Sequence, residues 1–159
     1  MVHVADTKDP PREFHLLTPE NGATISHYPD SPSNTSYTWE VALQNEHERD
    51  EVHYTVYFTT PSREFEYVTD EVDSPKLMNL SNQLINDELS LNLEKEVEII
   101  WWVLAEDDSG LTVESMNEYS LNIPALSVGD NMDNNTLTTF LYPVDSPIHL
   151  IHQLILNLI

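Results

Sequence analysis

The chain has no cysteine, three glycines, and six lysines and arginines among its 159 residues. Without thiols it has no disulfide framework, no Cys-rich zinc site, no cysteine-ligated iron–sulfur cluster and no thiol nucleophile. So few glycines leave little material for a glycine-rich phosphate cradle. Set against 28 aspartates and glutamates, the six basic residues give a formal charge of −22. That charge excludes strong electrostatic attraction to DNA, RNA or anionic lipid, so no nucleic acid partner is expected. No apolar run approaches the roughly 20 residues of a membrane-spanning helix, so no membrane insertion is expected either. Residues 1–11 carry neither the basic start nor the apolar stretch of a signal peptide.

What is present favours a packed domain. A hydrophobic share of 40% and three tryptophans are inconsistent with a disordered acidic chain. The length fits one domain with tails. The acids are scattered, as on a solvated surface. Such a charge suits a high-salt habitat, where screening removes self-repulsion, or diffuse binding of divalent cations.

Apolar residues recur with period two in several segments, the mark of half-buried strands. Tyr37, Trp39, Val41 and Leu43 form one such set, and Val52, Tyr54, Val56 and Phe58 a second. Phe65, Tyr67 and Val68 form a shorter one, and Leu89, Leu91 and Leu93 another. In the clearest, Val97, Ile99, Trp101, Val103 and Ala105 share one face, while Glu98, Ile100, Trp102 and Leu104 share the other. Both faces are largely apolar, which predicts a central strand with part of its second face covered. Val113, Ser115, Tyr119, Leu121 and Ile123 supply the last strand. Pro19 with Asn21-Gly22, residues 45–50, Pro61-Ser62 and residues 106–110 are turn signals. Leu77, Leu80, Leu84 and Ile85 fit a turn of helix or a crossover loop, and no helix longer than two turns is supported. About seven short strands separated by turns predict an all-β fold, a two-sheet antiparallel sandwich.

Residues 14–25, FHLLTPENGATI, contain a Leu-x-x-Pro-x-x-Gly phrase that resembles the opening of bacterial fibronectin type III-like domains, an immunoglobulin-like class. Trp39 is similar to that family's core tryptophan. Residues 101–110, WWVLAEDDSG, are similar to its penultimate strand and following turn. The resemblance covers residues 14–123. It implies that Trp101, Val103 and Ala105 face the core and that Ser109-Gly110 shapes the last hairpin. Residues 74–88 are longer than the simplest pattern of the family. Similar modules occur in outer-membrane starch-binding lipoproteins of Bacteroidetes and as spacers in secreted enzymes. The implied organisation is a linker at residues 1–12, a fibronectin type III-like domain at 13–124, a linker at 125–138 and a tail at 139–159.

The tail departs from the rest, with no acid after Asp145. Ile148, Leu150, Ile151, Leu154, Ile155 and Leu158 would give a helix an apolar stripe suited to docking. A second reading starts from Phe140, Leu141, Tyr142 and Pro143, which resemble the start of a type IX secretion C-terminal sorting signal. Permitted codons for residues 148–155, read from the third base of the first codon, spell Pro-Phe-Asn-Pro-Ser-Thr-Asn, the continuation of that signal. On this reading the last dozen residues are an out-of-frame remnant, and the parent product is exported to the cell surface or the medium.

Chemistry-bearing residues are sparse. No HExxH pair or GxSxG elbow occurs among the residues, which include His3, His15, His27, His47, His53, His149 and His152. His47, Glu51 and His53 flank one turn and could offer nitrogen and carboxylate ligands, but ordinary surface residues are the favoured reading. Asp107 and Asp108 beside Ser109 and Gly110 could bind calcium, yet the EF-hand pattern is missing and a solvated turn is favoured. Asp130 and Asp133 stand the same way. Tyr28, Tyr57 and Trp102 could stack on sugar rings, against a satellite cluster beneath the 74–88 crossover. The expectation is therefore a non-catalytic structural spacer or interaction module of a longer exported protein, monomeric, with no catalytic, cofactor or metal residue assigned. Its partners would be other domains of the parent, a surface protein or a glycan. The alternative is a carbohydrate-binding module using exposed aromatics, and an enzyme comes last.

Overall fold

The strongest period-two segment becomes the longest strand, β7 (Val97–Asp107), in a computed structural model that describes residues 8–26, 34–43 and 51–126. The chain divides into two units, residues 1–126 and 127–159, and all described elements lie in the first. The tail readings, the docking stripe and Asp130 and Asp133 fall outside the described residues.

Two sheets face each other. The smaller has the order β1-β3-β6, from β1 (Leu16–Thr18), β3 (Asn34–Trp39) and β6 (Lys76–Ser81), with antiparallel neighbours. The larger has the order β2-β9-β7-β4-β5. It is built from β2 (Ala23–Thr24), β9 (Tyr119–Ile123), β7, β4 (Val52–Thr59) and β5 (Glu66–Val68). There β2 runs parallel to β9 and the other neighbours are antiparallel. A further strand, β8 (Thr112–Glu114), pairs with the far end of β7. The described residues thus hold more strands than the seven expected, because the edges of the sheets are broken into short pieces.

The first break follows from Pro19 and the Asn21-Gly22 turn. Gly22 sits at φ +80, which only glycine adopts without cost, and the turn moves the chain from the small sheet to the large one. The Ser120 backbone N–H donates to Asn21 Oδ1 at 2.8 Å, fixing the turn to β9. The second break falls at Ser115. Its N–H reaches the Val103 carbonyl at 2.8 Å, and its hydroxyl accepts from the Val103 N–H at 3.3 Å. A side chain here replaces a backbone ladder group, so β8 ends and β9 restarts four residues on.

The core is the space between the sheets. Tyr37 and Trp39 enter it from β3, Tyr54, Val56 and Phe58 from β4, and Leu121 and Ile123 from β9. Ile99, Trp101, Val103 and Ala105 of β7 are fully buried there, as the alternation predicts. Two expectations fail. Strand β3 stops at Trp39, and beyond it Ala42 is buried while Val41 and Leu43 are exposed. The Glu40 N–H bonds the His15 carbonyl at 2.9 Å, and the Ala42 N–H donates to the Tyr54 hydroxyl at 3.0 Å. These bonds hold a non-strand segment in which Ala42 faces inward. Nor do Leu89, Leu91 and Leu93 form a strand. Residues 82–88 are a short helix, α1 (Asn82–Glu88), capped by Ser81, and Ile85 and Leu89 share its buried face at i, i+4 spacing. Ser90 then takes φ +51, and Asn92 Oδ1 accepts from the Glu94 N–H at 3.0 Å, which turns the chain towards β7. The helix start is tied down by buried Asn82, which donates to the Ser26 carbonyl at 2.8 Å and accepts from Thr35 Oγ1 at 2.7 Å.

Candidate functional site

The outer face of the large sheet carries what chemistry the described residues offer. Since Tyr54, Val56 and Phe58 point inward, His53, Thr55 and Tyr57 point outward. They stand opposite Glu106, Leu104 and Trp102 of β7. This makes a row with an aromatic end and an ionic end.

At the aromatic end, Tyr57 and Trp102 stack with centroids 5.1 Å apart and planes 15° apart. The Arg63 guanidinium lies 5.4 Å from the Trp102 ring and also pairs with Glu118. Trp102 is therefore covered by Tyr57 and Arg63. The expected satellite cluster under the 74–88 crossover is not its cover, because Ile85 of that crossover packs into the inter-sheet core on the other side. Trp39, Trp101 and Trp102 are all buried, which weighs against a row of open rings for sugar stacking. Tyr28 lies outside the described residues.

At the ionic end, His53 Nδ1 is 2.9 Å from Asp73 Oδ1 and 3.5 Å from Glu71 Oε1. Its Nε2 is 3.3 Å from Asp108 Oδ1. The hydrogen bond to Asp73 raises the imidazole above its ordinary range despite opposing desolvation, and Asp108 and the charges of Glu71 and Asp73 reinforce it. The carboxylates arrive from two backbone segments. Val72 faces Tyr54 through a two-bond bridge, each bond 2.9 Å, so Glu71 and Asp73 flank it on the outer face. Asp108 follows the end of β7 at the turn into β8.

Of His47, Glu51 and His53, only the His53 side chain stands in this corner among the described residues. Glu51 contributes its backbone N–H to Asp108 Oδ2 at 3.2 Å, and His47 lies outside the described residues. Asp107 and Asp108 do not form a calcium pair, because the first is the last residue of β7 and serves the turn amides while the second, in the turn, reaches His53. Asp107 turns inward and is buried, with Oδ1 accepting from the Ser109 N–H at 2.8 Å and the Leu111 N–H at 3.0 Å. Asp108 turns outward to His53. A carboxylate satisfying two turn amides is a structural device. His15 makes a separate exposed pair with Glu40, Nδ1 to Oε2 at 2.8 Å. The hydrogen bonds from the His15 side chain and backbone hold the Glu40 carboxyl below its ordinary range.

Glu71 and Asp73 were missed for a specific reason. The β4–β5 hairpin pairs Tyr57 with Val68, and an unbroken register would set Glu71 opposite Tyr54, facing inward. One residue is gained between Val68 and Val72, which turns Val72 in and both acids out. The apolar Val72 between acids was the available signal, since it fills the inward position better than Glu71.

An open cleft of about 300 Å³ lies beside this corner, lined by Val41, Ala42, Leu43, Val52, Tyr54, Asp73 and Pro75. Asp73 is the one carboxylate among those residues, so no set of polar groups converges there for catalysis. No helix among the described residues is long and apolar enough to cross a membrane. No family model, curated protein or solved structure matches the chain. The domain is an all-β, two-sheet fold without a clear catalytic or cofactor site among the described residues.

Proposed function

We propose that residues 13–124 are a fibronectin type III-like module acting as a non-catalytic spacer or interaction domain of an exported surface or secreted protein, between linkers at residues 1–12 and 125–138. The observation that carries this reading is the strand connectivity. One sheet takes β1, β3 and β6, and the other takes β2, β4, β5, β7 and β9. The chain therefore crosses between layers after β1, β2, β3, β5 and α1. This supports the resemblance at residues 14–25 and 101–110, where the Leu-x-x-Pro-x-x-Gly phrase makes the first crossing and Trp101 fills the core. Function in such a module comes from its position in a longer product. Of the rings offered for glycan stacking, Trp102 is buried and Tyr57 half-buried, and Tyr28 lies outside the described residues, so the glycan-binding alternative carries less.

Sequencing the encoding DNA, from the codon of Thr136 through about 120 bases beyond that of Ile159 and upstream of Met1, tests this reading. Further domains on the same product, with a neighbouring frame that continues the sorting phrase, are the expected result. A start at Met1, a stop directly after Ile159 and no such frame would overturn it.

A further inference from the structure

We propose that the corner formed by His53, Glu71 and Asp73 binds one divalent cation of the zinc class, with Asp108 as a positioning residue. The nitrogen and the two carboxylate oxygens all lie within 4.8 Å of one another. Zinc bonds nitrogen and oxygen at about 2.0–2.2 Å, so a cation placed among the three needs only a small inward movement of the carboxylates. Glu71 and Asp73 have exposed side chains that can make it.

The two faces of the imidazole are already differentiated. Without metal, Nδ1 shares a hydrogen with Asp73 at 2.9 Å; a cation would displace that hydrogen, while Asp108, 3.3 Å from Nε2, would keep the imidazole hydrogen on the far nitrogen. A carboxylate behind the non-ligating nitrogen is the usual second partner of a metal-bound histidine. One imidazole and two carboxylates favour zinc, nickel or cobalt over calcium and magnesium, which take oxygen-only shells.

The donors stand on fixed backbone. His53 lies on the eight-residue β4 next to buried Tyr54, and Glu71 and Asp73 flank the Val72 bridge. Asp108 follows Asp107, whose carboxylate caps two amides of the same turn. Glu106 stands across the ladder from His53 and adds to the acid excess. A bound cation would join the segment after β5 to β4 and, through His53, to the β7–β8 turn. In a chain without disulfides it would act as a cross-link.

The test is a calorimetric titration of the full chain with Zn²⁺, repeated with Co²⁺ while visible absorption is recorded, and with Ca²⁺ and Mg²⁺. The expected result is one saturable Zn²⁺ site per chain, absent in His53→Gln, retained in His15→Gln, and not reproduced by Ca²⁺ or Mg²⁺. Asp108→Asn should weaken the site by about 10–100-fold while leaving the stoichiometry unchanged. A wild-type chain that shows only weak, unsaturable uptake overturns the proposal, as does His53→Gln binding like the wild type. Should His53→Gln fail to fold by circular dichroism, the double variant Glu71→Gln/Asp73→Asn decides, since both side chains are exposed. Loss of the site in it supports the proposal and wild-type affinity overturns it.

Discussion

Trp101 and Trp102 are adjacent on one strand and both are buried, but the two faces of the large sheet bury them by different means. Trp101 points between the layers. Tyr37 of the opposite sheet meets it edge-on at 5.0 Å, and Tyr119 of its own sheet does so at 6.1 Å. Trp102 points away from the other layer and is covered by a cross-strand tyrosine and a guanidinium. The inner face is closed by a second layer and the outer face by cross-strand pairs. Removing a side chain from the first leaves a cavity, and removing one from the second admits water.

The largest effect expected from that difference is at Trp101. Trp101→Ala should destabilise the domain by about 3–5 kcal/mol, the cost of a large deletion in a packed core. Equilibrium denaturation measures it, and a loss below about 1 kcal/mol would refute the core assignment. Trp102→Ala comes next. It loses apolar burial and one ring pair without leaving a sealed void, so about 2 kcal/mol is expected. If both variants cost the same in one denaturant series, the distinction between the faces is lost.

A smaller effect sharpens the outer face. Arg63 adopts φ +55 in the β4–β5 turn, an unfavourable backbone for a side chain, and still reaches Trp102 and Glu118. Arg63→Ala keeps the strain and removes the contacts, so a loss of about 0.5–1 kcal/mol is expected. Arg63→Gly removes contacts and strain together and should lie near the wild type, because relief of the left-handed backbone offsets about 1 kcal/mol. Thermal melts of the two variants side by side make the comparison. Arg63→Gly less stable than Arg63→Ala would contradict it.

The inner face was also the more legible in sequence. Alternation placed Tyr54, Val56, Phe58, Ile99, Trp101, Val103 and Ala105 in the core, because a two-residue period reports which face is buried. It erred where turn chemistry takes over. Val41 and Leu43 continue the pattern of β3 after the strand has ended, and Leu89, Leu91 and Leu93 copy a strand although Leu89 belongs to the helical spacing of Ile85. Of the ionic corner, His53 and Asp108 stand in the sequence as possible ligands of two separate sites, and Glu71 and Asp73 in none. The latter two are 18 and 20 residues from His53 on the far side of a hairpin, and a one-residue slip in pairing decides which way they face.

That corner supplies the smallest and most specific expectation, because titration reaches the outer face and leaves the tryptophan core alone. The folded His53 has its pKa raised, chiefly by the hydrogen bond to Asp73. A raised group stabilises fully below its unfolded value, near 6.5, and loses that contribution as pH rises through the folded value. Glu40 works in the opposite direction. Its carboxyl is held below its ordinary range by His15, so its contribution is present above about pH 4.5 and fades as pH falls through the folded value. Unfolding free energies measured in chelator from about pH 2.5 to 9 should therefore separate the two pairs. The gap between wild type and His53→Gln should be widest below about pH 6 and close towards alkaline pH. The gap between wild type and Glu40→Gln should be widest above about pH 5 and close in acid. A wild-type advantage over His53→Gln that stays level across this range would mean that His53 contributes by packing alone, and the contrast between an ion-dependent outer face and a packed inner one would then rest on Arg63 and Trp102.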